Sequence, residues 1–204
     1  MNGSAAGGED CPRPQLFATR RDWLLERVHA GEVVLDVGCG DGAFAAELAA
    51  AGCDVVGVDV DADAIERAAR RAPGARFALW SPDARLPLAD ASVDVVWAGE
   101  VIEHVAELAA WLSELRRVLR SGGRMLLSTP YHGRTKNTAI ALIAFERHFD
   151  PLGEHVRFFT RRSLAALLTE FGFEQISLRT IGGVALLRET LLAEATRARP
   201  AFVR

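Results

Sequence analysis

Cysteine is scarce in this chain: 204 residues contain only Cys11, Cys39 and Cys53, and none stands in a C-x-x-C pair. An odd number without that spacing argues against a disulfide framework and a structural zinc site, and makes a reducing cytoplasm the expected setting. Basic excess is lacking too. With 24 Lys and Arg against 27 Asp and Glu, a net charge of −3 and an isoelectric point near 6.0, no overall basic surface exists to grip duplex nucleic acid. Nucleic acid is therefore not an expected partner. No window reaches the ~18 consecutive apolar residues of a membrane span, and the opening residues carry no basic-plus-apolar targeting pattern. No membrane partner is expected either.

What the chain does have is apolar residue, 50% of the total, enough to bury one sizeable core. Residues 1–12 are rich in Gly, Ser and Ala and read as a disordered tail. Residues 13–204 read as a single domain. Leu16, Phe17, Trp23, Leu24 and Val28 recur at helical intervals over 14–30. Strands and helices then alternate: strand 33–37, helix 43–51, strand 54–58, helix 62–71, strands 76–79 and 93–98, helix 106–119, strand 123–128, helix 161–171 and a strand from Phe173 to about Thr180. That order predicts a doubly wound α/β fold on a mostly parallel sheet. Ser121-Gly122-Gly123 reads as the cap that ends the fourth helix. Residues 129–158 lose all period, carry Pro130, Gly133, Pro151 and Gly153, and gather Tyr131, His132, Lys136, His148 and His155. A connection that long reads as a lid.

Chemistry concentrates at two places. In Asp36-Val37-Gly38-Cys39-Gly40-Asp41-Gly42 a β-branched run meets an acidic residue and breaks into alternate glycines before a helix-prone stretch. Glycine there permits positive φ and leaves room for a flat ligand, so a nucleotide-like cofactor is expected at this turn. About 20 residues on, Val55-Val56-Gly57-Val58 ends at Asp59, where a ribose diol would be held. Gly38-x-Gly40-x-x-Ala43 also satisfies a dinucleotide fingerprint, so the glycines do not by themselves choose the nucleotide. The second place is Glu100-Val101-Ile102-Glu103-His104, after the fourth strand.

With Asp36, Asp83-Ala84 and this Glu-x-x-Glu-His run taken in order, the chain resembles the class I S-adenosylmethionine-dependent methyltransferases over roughly residues 20–180. The likeness is to the methyltransferase type 11 and ubiquinone-biosynthesis O-methyltransferase-like group. It implies a seven-stranded, mostly parallel sheet with an antiparallel terminal strand, placed at about 189–196 despite helix-forming composition there. It implies S-adenosyl-L-methionine as cofactor, with Gly38, Cys39 and Gly40 at the methionyl carboxylate and Asp36 near its amino group. Asp59 and Val60 would then meet the ribose, Asp83 and the Ala84 N–H the adenine, and Glu100 the strand-end edge, while Trp80 and Ser81 depart from the family pattern.

The expected reaction is methyl transfer to an oxygen, less readily a nitrogen or carbon, of a small-molecule acceptor. His104, whose ordinary pKa lies near neutrality, is the expected catalytic base. In relatives Glu-x-x-Glu-His runs ligate divalent metals, so Glu100, Glu103, His104 and His155 form an alternative set for a metal-assisted RNA-end ribose 2′-O-methyltransferase; no residue is assigned to metal here. An NAD-dependent oxidoreductase and a non-catalytic cofactor-binding module complete the alternatives.

Overall fold

The computed structural model describes residues 14–143, 145, 153, 155–184 and 187–199; the expected N-terminal tail lies outside them. Its elements run α1 (Pro14–Leu25), β1 (Val33–Val37), α2 (Ala43–Ala50), β2 (Asp54–Asp59), α3 (Ala62–Arg71), β3 (Arg76–Leu79), β4 (Val93–Gly99), α4 (Leu108–Val118), β5 (Leu119–Pro130), α5 (Arg134–Ile143), α6 (Arg161–Glu170), β6 (Phe173–Ile181) and β7 (Thr190–Arg197). The seven strands form one sheet in the order β3-β2-β1-β4-β5-β7-β6. All neighbours from β3 to β5 are parallel, and β7 runs antiparallel to both β5 and β6.

Alternation along the central strands builds a core on each face. Leu35, Val56, Val96 and Leu127 pack with Trp111, Leu112 and Leu115 of α4 and Leu164 and Leu168 of α6. Their chain neighbours Val34, Val55, Val95 and Leu126 face the other way, against Trp23 and Leu24 of α1 and Ala45 and Leu48 of α2. Each such large side chain, fully removed from water, contributes about 1.5–3 kcal/mol. Capping fixes the helix starts: Asp61 accepts from the Asp63 N–H at α3, and Thr160 with Ser163 forms a reciprocal capping box at α6.

Two local expectations differ. Gly122, at φ +78°, does not follow a helix cap, because α4 stops at Val118 and β5 begins at once. The Ser-Gly-Gly run is a kink within β5, whose pairing with β4 is shifted between Val93 and Val95. The stretch read as aperiodic also holds α5, a helix with no buried residue. Without an apolar stripe to bury, it leaves no helical period in the sequence.

Because β1 to β5 are parallel, Val37, Asp59, Leu79, Gly99 and Pro130 all end at one edge of the sheet. The β6–β7 turn joins them there, since Thr190 pairs with Pro130 and Ile181 with Thr190. This carboxyl edge is where ligands sit in open α/β sheets.

Candidate active site

The turn after β1 is built around positive φ at Gly38 (+66°) and Gly42 (+79°). A Cβ on Gly38 would lie 2.5 Å from Val101 Cγ2, and one on Gly42 would lie 2.8 Å from the Ala68 backbone of α3. Glycine is therefore demanded twice over, by conformation and by space. The backbone donors expected to meet the cofactor carboxylate are already engaged, however: the Gly38 and Cys39 N–H groups donate to Val58 O, and the Gly40 N–H donates to Asp59 Oδ2 at 2.8 Å. The turn folds back onto the end of β2, so its glycines supply room and shape in place of free donors. Asp59 Oδ1 in turn accepts from the Asp61 N–H at 3.0 Å. Both carboxylate oxygens keep lone pairs for a diol while the backbone holds the group still.

Between this turn and the ends of β2 to β4 lies a cavity of about 300 Å³. Gly38, Asp59, Val60, Asp83 and His104 line it, together with Trp80, Val101 and Trp111. Trp80 is one of the two residues expected to depart from the family pattern. Its indole N–H donates to Ala84 O at 3.0 Å and its ring walls the cavity. Of the expected adenine contacts, Asp83 faces the cavity, but the Ala84 N–H donates to Ser81 O and closes a turn. Asp36, Cys39, Gly40 and Glu100 lie outside the lining.

Asp36 sits beneath the turn, buried, accepting from the Ala45 N–H, with Oδ2 lacking a partner. Burial first, and the Asp59 charge second, push its carboxyl up to about 8. The Cys39 thiol is pushed up by the same causes, burial before the neighbouring carboxylates, which makes it an inert apolar wall.

Past β4 the chain turns at Glu100, whose φ of +58° is unusual for a side-chain-bearing residue. Glu100 Oε1 accepts from Ser128 Oγ at 2.8 Å and pairs at 3.3 Å with the guanidinium of Arg20, which reaches in from α1. Sequence reading missed Arg20; an arginine beside Arg21 and Asp22 on a helix carries no signal of burial. Glu103 is buried: Oε2 accepts from Thr129 Oγ1 at 2.9 Å, while Oε1 has no partner and lies 3.9 Å from His104 Nε2. Its carboxyl is pushed up to about 8, by burial first and by the Glu100 charge second.

Residues 156 and 157 are pinned on this same residue, because the Val156 and Arg157 N–H groups both donate to Glu103 O. That brings His155 beside His104, with ring centres 4.8 Å apart. Glu103, His104 and His155 can each present a ligand atom within 4.8 Å of the others. Glu100, expected in that set, is turned to Arg20 and Ser128 instead.

Residues 13–178 match the family model described as a methyltransferase domain. A relative from Mycolicibacterium smegmatis, named for S-adenosylmethionine-dependent methyl transfer, is 39% identical over 71% of this chain and 53% of its own. The chain thus spans about half the length of the first mycobacterial relatives it matches. The ubiquinone biosynthesis O-methyltransferase of Cereibacter sphaeroides is 30% identical over 83% of this chain and 76% of its own. The demethylmenaquinone methyltransferase of Beutenbergia cavernae is 35% identical over 80% and 75%. The YcgJ protein of Bacillus subtilis superposes with a TM-score of 0.71 at 17% identity, covering 89% of this chain and 99% of that one, which shows a shared fold. The ordered glycines, Asp59 and the Glu-x-x-Glu-His run thus stand on the fold that they implied, and the chain belongs to the S-adenosylmethionine-dependent methyltransferases.

Proposed function

We propose that this protein transfers the methyl group of S-adenosylmethionine to a hydroxyl oxygen of a small metabolite. The observation that carries the reading is the junction at His104, which lines the cofactor cavity on one side and meets Glu103 and His155 on the other. The cofactor, when bound, supplies a sulfonium methyl whose leaving group is already activated. The residues then have two tasks: to align the acceptor oxygen in line with that methyl, where proximity supplies most of the acceleration, and to take the proton. Asp59 and Asp83 fix the nucleoside end, and Trp80, Val101 and Trp111 exclude water around it. Gly38 leaves space for the methionyl portion above Asp36. His104 accepts the acceptor's proton, with the buried Glu103 carboxyl 3.9 Å behind it. An O-methyltransferase among the relatives supports oxygen as the acceptor atom.

Turnover of a panel of phenolic and alcoholic acceptors tests the reading. His104→Ala should lower kcat by roughly 10² to 10⁴ and leave S-adenosylhomocysteine affinity within about twofold. Full activity in that variant would remove His104 from the chemistry.

The Glu103, His104 and His155 cluster favours a second reading, in which these three residues hold a divalent ion that lowers the acceptor hydroxyl's pKa. The unpartnered, buried Glu103 Oε1 and the two imidazoles are a donor set that fits such an ion. Elemental analysis of the purified protein separates the two readings. A bound ion lost in His155→Ala supports the metal, whereas metal-free protein with activity resistant to chelators supports His104 acting alone.

A further inference from the structure

Exposed large apolar side chains are expected to scatter singly over a protein surface. Among the described residues, all eight lie at the carboxyl edge of the sheet or on the segments that leave it. Val60 and Leu79 end β2 and β3 beside the cofactor cavity. The other six lie on the segments that follow β5 and β6: Leu142 and Ile143 at the far end of α5, Phe145 beyond it, Val156 before α6, and Val184 and Leu187 in the β6–β7 turn. Leu142 and Ile143 are 79% and 84% exposed, although the first half of α5 is tied down by a Lys136 Nζ bond to Tyr131 O and an Asn137 Nδ2 bond to His132 O. The helix is thus held at its root and presents its apolar tip to the outside.

Charge follows the same division. The cofactor half of the edge is acidic, with Asp59, Asp61, Asp63, Asp83 and Glu107. The described residues within 131–162 and 182–189, on the acceptor side, carry six basic side chains (Arg134, Lys136, Arg157, Arg161, Arg162 and Arg188) against one acidic, Glu189, in a chain of net charge −3. Among them Arg134, Arg161 and Arg162 are exposed. Exposed apolar side chains on the same segments as exposed basic ones complement an anionic lipid surface: the basic side chains are drawn to the headgroups and the apolar tips enter the acyl boundary.

We propose that this acceptor-side rim docks reversibly on anionic membrane, with Leu142 and Ile143 as the inserting residues and Arg134, Arg161 and Arg162 as the headgroup contacts. No helix among the described residues is long and apolar enough to cross a membrane, and surface docking needs none. The sequence alone pointed to no membrane partner because these six residues are scattered between positions 142 and 187 and form no continuous apolar run. Docking would turn the site's mouth toward the lipid, and the inference does not depend on which acceptor is methylated.

The test is sedimentation of the full chain with vesicles of phosphatidylcholine alone and of phosphatidylcholine containing phosphatidylglycerol. Binding should be confined to the anionic vesicles and should fall steeply with added salt as the Debye length shrinks. Leu142→Glu and Ile143→Glu should each weaken it roughly tenfold or more, and Arg134→Gln with Arg162→Gln should reduce it further. Affinity for S-adenosylhomocysteine, measured in parallel, should be unchanged in all of them and shows that each variant is folded. Equal binding to both kinds of vesicle, binding to neither, or binding indifferent to Leu142→Glu and Ile143→Glu would overturn the proposal. So would a concentration-dependent dimer abolished by Leu142→Glu, which would identify the tip as a contact between two copies of this chain.

Discussion

Asp36 shows how much of this site is written in single groups. Its carboxyl is buried beneath the glycine turn, receives one backbone N–H, and is pushed up to about 8 by burial and then by Asp59. In the unfolded chain the same group titrates near 3.8. Between those values the folded protein holds one proton more than the unfolded chain, so its stability falls as pH rises through that window and is unaffected by Asp36 below it. The slope for one such group is at most about 1.4 kcal/mol per pH unit. Thermal melts of the cofactor-free protein between pH 5 and 8 should therefore decline less steeply in Asp36→Asn than in the wild type. Some decline should remain, because Glu103 is raised to about 8 in the same direction. A variant whose melting temperature tracks the wild type at every pH would mean that Asp36 is ionised in the fold. Arg20 makes a second point at this scale. Its guanidinium is buried and binds Glu100 and Ser128, yet its Nε has no partner. Arg20→Ala should destabilise the protein by about 3–5 kcal/mol, because it leaves the Glu100 charge without its cation, and Arg20→Ala with Glu100→Gln together should cost clearly less than Arg20→Ala alone.

Among elements, those that bury a regular face were legible and those that do not were not. The apolar runs of β1, β2 and β4 and the stripe of α4 come from packing against both layers, and their bounds fall within two residues of expectation. β7 could be placed only through the resemblance, since its Ala and Glu favour a helix and it is the sheet that makes Thr190–Arg197 extended. α5 left no trace, because none of its residues is buried. The glycine turn was legible as a turn but not in its hydrogen bonding, since the partners of Gly38 and Gly40 belong to β2, twenty residues away. Gly38→Ala should cost about 1–3 kcal/mol through positive φ and the overlap with Val101. Adding Val101→Ala should recover the part due to overlap and leave the part due to φ, a difference readable in denaturant midpoints. The segment expected to be a lid has its described ends fastened, by the Tyr131–Phe159 bridge and by the bonds from residues 156 and 157 to Glu103 O, while α5 buries nothing. Amide hydrogen exchange should be fast over α5 and slow over β1, β4 and β5. Protection of α5 equal to that of the central strands in the cofactor-free protein would rule out a lid that opens.

At the scale of the whole molecule, five parallel strands deliver Asp59, Asp83, Glu103 and His104 to one edge, and that convergence makes a site from residues spread over some forty-five positions. Sequence order points to the candidate cofactor half because the ends of β1, β2 and β4 each carry a glycine or a carboxylate, at Gly38, Asp59 and Gly99-Glu100. The acceptor half depends on contacts between segments distant in the chain, such as Arg20 with Glu100, Thr129 with Glu103 and His155 with His104, and no local pattern encodes them. The central claim is that S-adenosylmethionine occupies the cavity between Gly38, Asp59, Trp80 and Asp83. Calorimetric titration with S-adenosylhomocysteine, run on the wild type and on Asp59→Ala with thermal melting as the control for folding, tests it most directly. The account predicts one site per chain, no comparable heat with NADH, and affinity weakened tens-fold or more in Asp59→Ala through loss of one or two hydrogen bonds to a charged acceptor, each worth about 1.5–3 kcal/mol. Absence of binding to the wild type, or a folded Asp59→Ala variant that binds as tightly as the wild type, would contradict it.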